Sequence, residues 1–138
     1  MTDFYHIADN LHQSKKVVFT AQSARNFHQR MLICRHAFEQ RAVPVNPFNV
    51  FGYYLYELVD RDAVRNGNNN LMGRCDELWV YGDVSDGVLS EIKNFSRSKR
   101  PIRYFDISGL PKTVKEVQLS DLPFEAEVEQ FKADFTNN

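Results

Sequence analysis

The sequence predicts a single-domain α/β fold: a parallel sheet of four to five strands, flavodoxin- or Rossmann-like, with helices on both faces. Three observations carry that expectation. Short β-branched or aromatic runs alternate with longer segments whose apolar residues recur at helical spacing, in the order βαβαβαβ. The connections are short, and such alternation lays the strands parallel with helices packed outside them. The 138 residues, 43% of them apolar, are enough for one core and too few for two comfortable domains.

"KKVVFTA" reads as a buried first strand at residues 16–21, bounded by charge before it and polar residues after it. A helix is expected from Asn26 to Arg41, with Phe27, Met31, Cys34 and Phe38 as its buried stripe and Arg30, Arg35, His36 and Glu39 turned elsewhere. "AVPVNPF" supplies a short second strand ended by Pro47. "NVFGYYLYELVDRDAV" carries an aromatic helix interrupted near Gly52, and "RNGNNN" breaks it as a flexible loop. "LMGRC" forms a short helical turn before "DELWVYG", the third strand; "DGVLSEIKNFSRSK" is the third main helix, "PIRYFDI" the fourth strand and "VKEVQL" an edge strand. The core is placed at about residues 16–120. Residues 1–15, with an amphipathic helix at 3–13, and a C-terminal helix at 123–135 are expected to be peripheral.

Composition narrows the partners. A formal charge of −1 gives no basic field to attract duplex nucleic acid or an anionic membrane. No apolar run approaches the roughly 18 residues of a membrane span, and the N-terminus lacks the pattern of a secretion signal, so a cytoplasmic protein is expected. Cys34 and Cys75 form no CxxC pair and are expected to be small buried hydrophobes. His6, His12, His28 and His36 form no HxxxH or HExxH pair, so neither a metal site nor a cofactor is anticipated. "RSKR", residues 97–100, reads as a solvated helix end where cations meet the negative pole of the dipole.

In open parallel sheets, ligands collect beyond the carboxyl ends of the strands, where loops run into helix N-termini. "GDVSDGVLSEI", residues 82–92, lies at such a point. Ser85 is a candidate N-cap and Asp86 a first-turn acid beside the positive end of the helix. Val88, Leu89, Ile92 and Phe95 make the buried stripe, while Gly87, Glu91 and Asn94 share a neighbouring face. A ligand could approach the backbone at Gly87 while the Glu91 carboxylate reaches it from the side. The same residues also make an ordinary capped helix with one surface carboxylate, and spacing alone leaves both readings open.

The run "CDELWVYGDVSDGVLSEI", with a "VVFTA" strand and an arginine upstream and "PVNPF" between, resembles the nucleoside 2-deoxyribosyltransferase-like superfamily, including its deoxynucleotide N-hydrolases. The resemblance covers roughly residues 16–105, and its most specific part is Ser85-x-Gly87-x-x-x-Glu91 after a strand opened by Asp76. It implies that Glu91 is a nucleophile attacking the anomeric carbon of a nucleoside or nucleotide, and that Ser85 holds the sugar or its 5′-phosphate. A carboxylate suits that task because cleavage of an N-glycosidic bond passes through an oxocarbenium-like state that it can stabilise or trap covalently. The departing base needs a proton. In relatives the acid lies about eight residues before the strand-opening aspartate; here that position is Asn68, whose amide cannot serve. Asp62 replaces it if the intervening loop is longer. The first strand carries Phe19 where relatives have an aromatic hydroxyl, and Phe48 stands where they have a histidine. Gln22, Ser23 and Arg25 remain as candidate ligand-binding groups at the first strand's end, joined by Asn68, Ser85, Asp86 and Gly87. The alternative is a binding module that uses the same cleft to sense or sequester a nucleotide or nicotinamide-derived ligand without turnover. The resemblance also implies a homodimer or larger homo-oligomer, with Tyr53, Tyr54 and Tyr56 as the expected contact.

Overall fold

One five-stranded sheet, in the order β2-β1-β3-β4-β5, organises the chain. The computed structural model describes residues 2–52, 55 and 57–137; Tyr53, Tyr54 and Tyr56, the expected subunit contact, lie outside the described residues. The strands are β1 (Val17–Gln22), β2 (Val43–Val45), β3 (Glu77–Tyr81), β4 (Ile102–Asp106) and β5 (Lys115–Val117), and the helices are α1 (Arg30–Glu39), α2 (Pro47–Val50), α3 (Arg61–Gly73), α4 (Asp86–Ser96) and α5 (Lys132–Thr136). Residues of β1 and β3 alternate between the two sides, as the pleat requires. Val18, Trp79, Tyr81 and Phe105 pack with Ile33 and Ala37 of α1. On the other side, Phe19, Ala21, Leu78 and Val80 pack with Met72 of α3 and with Val88, Leu89, Ile92 and Phe95 of α4.

The expectation of a wholly parallel sheet is corrected at one edge. The first four strands pair in parallel, but β5 runs antiparallel to β4, with Tyr104 opposite Val117 and Asp106 opposite Lys115. Residues 107–114 are too few for the crossover of a dozen or more residues that a parallel return needs. The result is a mixed α/β fold.

Three helices also differ from expectation. Before α1 the chain makes a 3-10 turn over Ala24–Gln29, and Asn26 leaves helical geometry at φ −101° and ψ 17°. That break detaches Phe27 from the helix, and α1 itself turns a different face to the sheet: it buries Ile33, Cys34, His36 and Ala37, while Met31 is 63% and Phe38 62% exposed. His36 is therefore inside, its Nδ1 2.8 Å from the Tyr81 hydroxyl, and burial lowers its pKa. The "RNGNNN" segment does not break a helix; it is the middle of α3. Val64, Asn68 and Met72 recur every four residues on its inward face, with Val64 and Met72 buried. Packing there outweighs asparagine and glycine propensities of up to about 1 kcal/mol each. Phe51 ends the short α2, and Gly52 follows at φ 73°.

The C-terminal segment is not peripheral. Val84 bridges Phe124 in parallel, through Val84 N–H to Pro123 O and Glu125 N–H to Val84 O, both 2.9 Å. Leu119, Leu122, Phe124 and Val128 join the α4-side core, because the bridge continues that layer past the end of β3. Only α5 and the 3-10 turn Ala126–Phe131 stand for the expected long closing helix. Residues 2–15 are exposed throughout, and their one ordered turn is the 3-10 helix Ile7–Asn10. Among the described residues no helix is long and apolar enough to cross a membrane.

Candidate functional site

A cleft of about 850 Å³ opens at the carboxyl ends of β1 and β3. These strands are neighbours, yet β1 leads to β2 on one side and β3 to β4 on the other, so the loops diverge and leave a crevice between them. Gly82 starts the β3–α4 loop at φ 77°, where a Cβ would lie 2.7 Å from Ile107 Cδ1, so only glycine fits this turn. Ser85 then caps α4, its Oγ accepting from Val88 N–H at 3.2 Å. Asp86 Oδ1 accepts from Gly87 N–H at 2.7 Å. A Cβ on Gly87 would meet nothing nearer than Ser85 Oγ at 3.9 Å, so the fold itself does not demand glycine there.

Gln22, Ser23, Arg25, Asn68, Ser85, Asp86, Gly87 and Glu91, named from the sequence, all line this cleft. Asp62 does not. It sits in the first turn of α3 with its side chain 82% exposed, bound to Arg65 Nη1 at 2.9 Å, because α3 starts earlier than a loop reading allows and its inward face belongs to Val64 and Asn68. Gln22 is committed to the fold: it is buried, accepts from Asn46 Nδ2 at 2.9 Å and donates to Asn26 O at 2.7 Å. Phe48 lines the cleft and packs edge-on against Phe27 at 5.2 Å. Asp76, which opens the third-strand motif, ties the strand starts together by accepting from Val17 N–H at 2.8 Å.

Glu91 is partly buried on α4 and lines the cleft, and its Oε2 accepts from Asn68 Nδ2 at 2.8 Å. Burial pushes its pKa up to about 7, and the single amide donor offsets only part of that. The buried carbonyl oxygen of Asn68, Oδ1, receives no hydrogen bond from the described residues, and buried polar atoms are usually paired.

Sequence reasoning missed Glu125. It lines the cleft from the C-terminal segment, its Oε2 accepts from Ser23 Oγ at 2.5 Å, and its side chain is only 8% exposed, with Arg25 Nε 3.7 Å from Oε1. Ser23 also accepts from Arg25 N–H at 3.2 Å. The local string "LPFEAEV" carries no sign of this, because the Val84–Phe124 bridge that brings it in is a tertiary event. Phe51, Arg61 and Arg65 complete the wall opposite α4; their signal was hidden by the misplaced start of α3.

Fold and site together define a mixed α/β domain with a carboxylate-bearing cleft where its strand order reverses. Residues 17–105 match the family described as a domain of unknown function, DUF7768, and the chain belongs to that family. The matched span holds every residue named above in the cleft wall except Glu125. No curated protein matches the chain.

Proposed function

We propose that this protein cleaves the N-glycosidic bond of a nucleoside or nucleotide, or transfers its deoxyribosyl group, with Glu91 as nucleophile. The observation that carries the reading is Glu91 itself: a partly buried carboxylate in the wall of a nucleotide-sized cleft, held by one neutral donor. A carboxylate so weakly solvated attacks or stabilises an oxocarbenium-like centre better than one surrounded by water. The open backbone at Gly87 leaves room for the sugar. The four parallel strands fit a flavodoxin-like doubly wound arrangement, whose ligands sit at this crevice. Two buried free thiols suit a reducing, cytoplasmic setting.

The test is chromatography of free base after incubation with deoxynucleosides, their monophosphates and NAD. Glu91→Gln should slow release by at least about 1,000-fold. Because Glu91 must be ionised to attack, the wild-type rate should climb as pH rises through about 7. A Glu91→Gln protein as active as wild type sinks the assignment.

Asn68 favours a second reading. An amide in the position of the expected acid anchors Glu91 without supplying a proton, as a module that binds a nucleotide or nicotinamide-derived ligand without turnover would require. A ligand that raises the melting temperature while no base is released points there.

The assembly belongs to the same proposal. Val50 and Leu58 are exposed on either side of the tyrosine stretch, next to the cleft residues Phe51 and Glu57. A homodimer covering them would help close the site. Light scattering should give at least twice the 16.1 kDa chain mass; a clean monomer removes the shared wall.

A further inference from the structure

We propose that Glu125, delivered by the C-terminal segment, is the general base of this site: it deprotonates the water that releases the sugar from Glu91. The inference rests on the reading above and adds a proton acceptor for its second half, the release of the sugar. The other carboxylates of the cleft wall are poorly suited to the task. Glu57 is exposed, and Asp86 is occupied by its own helix start.

Glu125 is held in a defined pose. Its backbone is fixed by the 2.9 Å hydrogen bonds on either side of the Val84–Phe124 bridge, which set it beside the N-terminus of α4. Ser23 Oγ donates to Oε2 at 2.5 Å, fixing the side-chain rotamer. Oε1 has Arg25 Nε only at 3.7 Å, too long for a hydrogen bond, so its lone pairs can accept a proton. A buried carboxylate is costly unless paired. Ser23 would donate equally to an amide oxygen, so only the exposed Arg25, at 3.7 Å, gives the fold itself a use for the charge.

The steps balance. Glu91 bonds the anomeric carbon as the bond to the base nitrogen breaks, and the base leaves with the electron pair. Water oxygen then bonds the same carbon while Glu125 takes one of its protons; the bond to Glu91 breaks, and its electrons restore the carboxylate. Glu125 finally passes the proton to the departed base nitrogen. Both protein groups end as they began.

The experiment uses the full chain and whichever deoxynucleoside or monophosphate the wild type cleaves best. Glu125→Gln keeps an acceptor for Ser23, so its melting temperature should stay close to wild type. It should release about one equivalent of base in a burst and then turn over at least about 100-fold more slowly. Intact-mass spectrometry should show the sugar retained on the protein, in a form lost when Glu91 is also replaced. Added azide, which attacks without losing a proton, should restore turnover and yield the glycosyl azide. A variant that turns over within tenfold of wild type, or one that shows neither burst nor azide rescue, overturns the role of Glu125 while leaving Glu91 untouched. A wild type that releases no base from any substrate overturns the underlying reading and this inference with it.

Discussion

A buried glutamate at the start of β3 and a partly buried one within α4 show what the fold does with a carboxylate it needs, and what it does with one it leaves available. Glu77, at the amino end of β3, is met by Lys16 Nζ at 2.7 Å and by Trp79 Nε1 at 2.9 Å. Burial alone would raise its pKa, but these two hydrogen bonds, with the charges of Lys16 and Arg103, outweigh it and lower the pKa. Glu91, on the carboxyl side, has one neutral amide, and burial wins. The fold has completed the coordination of Glu77 and left that of Glu91 open. Buried charge is tolerated when partners replace the lost water, so an under-partnered carboxylate facing a cleft keeps capacity for a further donor, the feature on which the proposed role of Glu91 rests. Glu77 instead ties the segment before β1 to the sheet, beside a second cavity of about 570 Å³ that includes Lys15, Lys16, Arg41 and Arg103 in its wall.

The comparison breaks most visibly at Glu77. Glu77→Leu leaves the buried Trp79 N–H without an acceptor and Lys16 without its partner, at a cost of about 3 kcal/mol, or roughly 10 °C in melting temperature. Base release per folded molecule should be unchanged, because Glu77 is remote from the cleft. A drop in activity without a drop in melting temperature would mean that Glu77 has a role beyond the fold.

How much of this was legible in the sequence follows from the range of each interaction. All five strands were readable, because β-branched and aromatic runs such as "KVVF" and "ELWVY" report their own burial. The Ser85 cap and the apolar stripe of α4 were readable for the same reason, while the choice of Glu91 over an ordinary surface carboxylate came from the resemblance. The α3 helix was not: asparagine and glycine signal a loop locally, and only the inward contacts of Val64, Asn68 and Met72 reverse that. The buried face of α1 differs from the expected one because apolar residues lie on two of its faces, Met31 and Phe38 on one and Ile33, Cys34 and Ala37 on the other, and only packing on the sheet chooses between them. The direction of β5 was legible in the short link before it, which rules out a parallel return, whereas the place of Glu125 depends on a bridge that leaves no local mark. Local chemistry therefore located one half of the cleft, and the half that the C-terminal segment completes came only with the fold.

The smaller effect lies in how stability varies with pH, where the two glutamates should differ in sign. Glu77 has a lowered pKa when folded, so its contribution is present above the ordinary carboxylate range and is lost as pH falls through the folded value. For Glu91 the folded value is raised to about 7 from 4.5. Its neutral form is the one the fold prefers, so that contribution is complete below 4.5 and is lost as pH rises through about 7. Glu91→Gln removes the titration while keeping an acceptor for Asn68 Nδ2. The variant should match wild type at acid pH and become the more stable protein at pH 8, by on the order of 2 kcal/mol once residual solvent contact is allowed for. Urea denaturation at several pH values would report the difference directly. A constant offset across the range would mean that water reaches the Glu91 carboxylate as freely as it would a surface group, and the contrast with Glu77 would then be one of partners alone, with no strain held at the cleft.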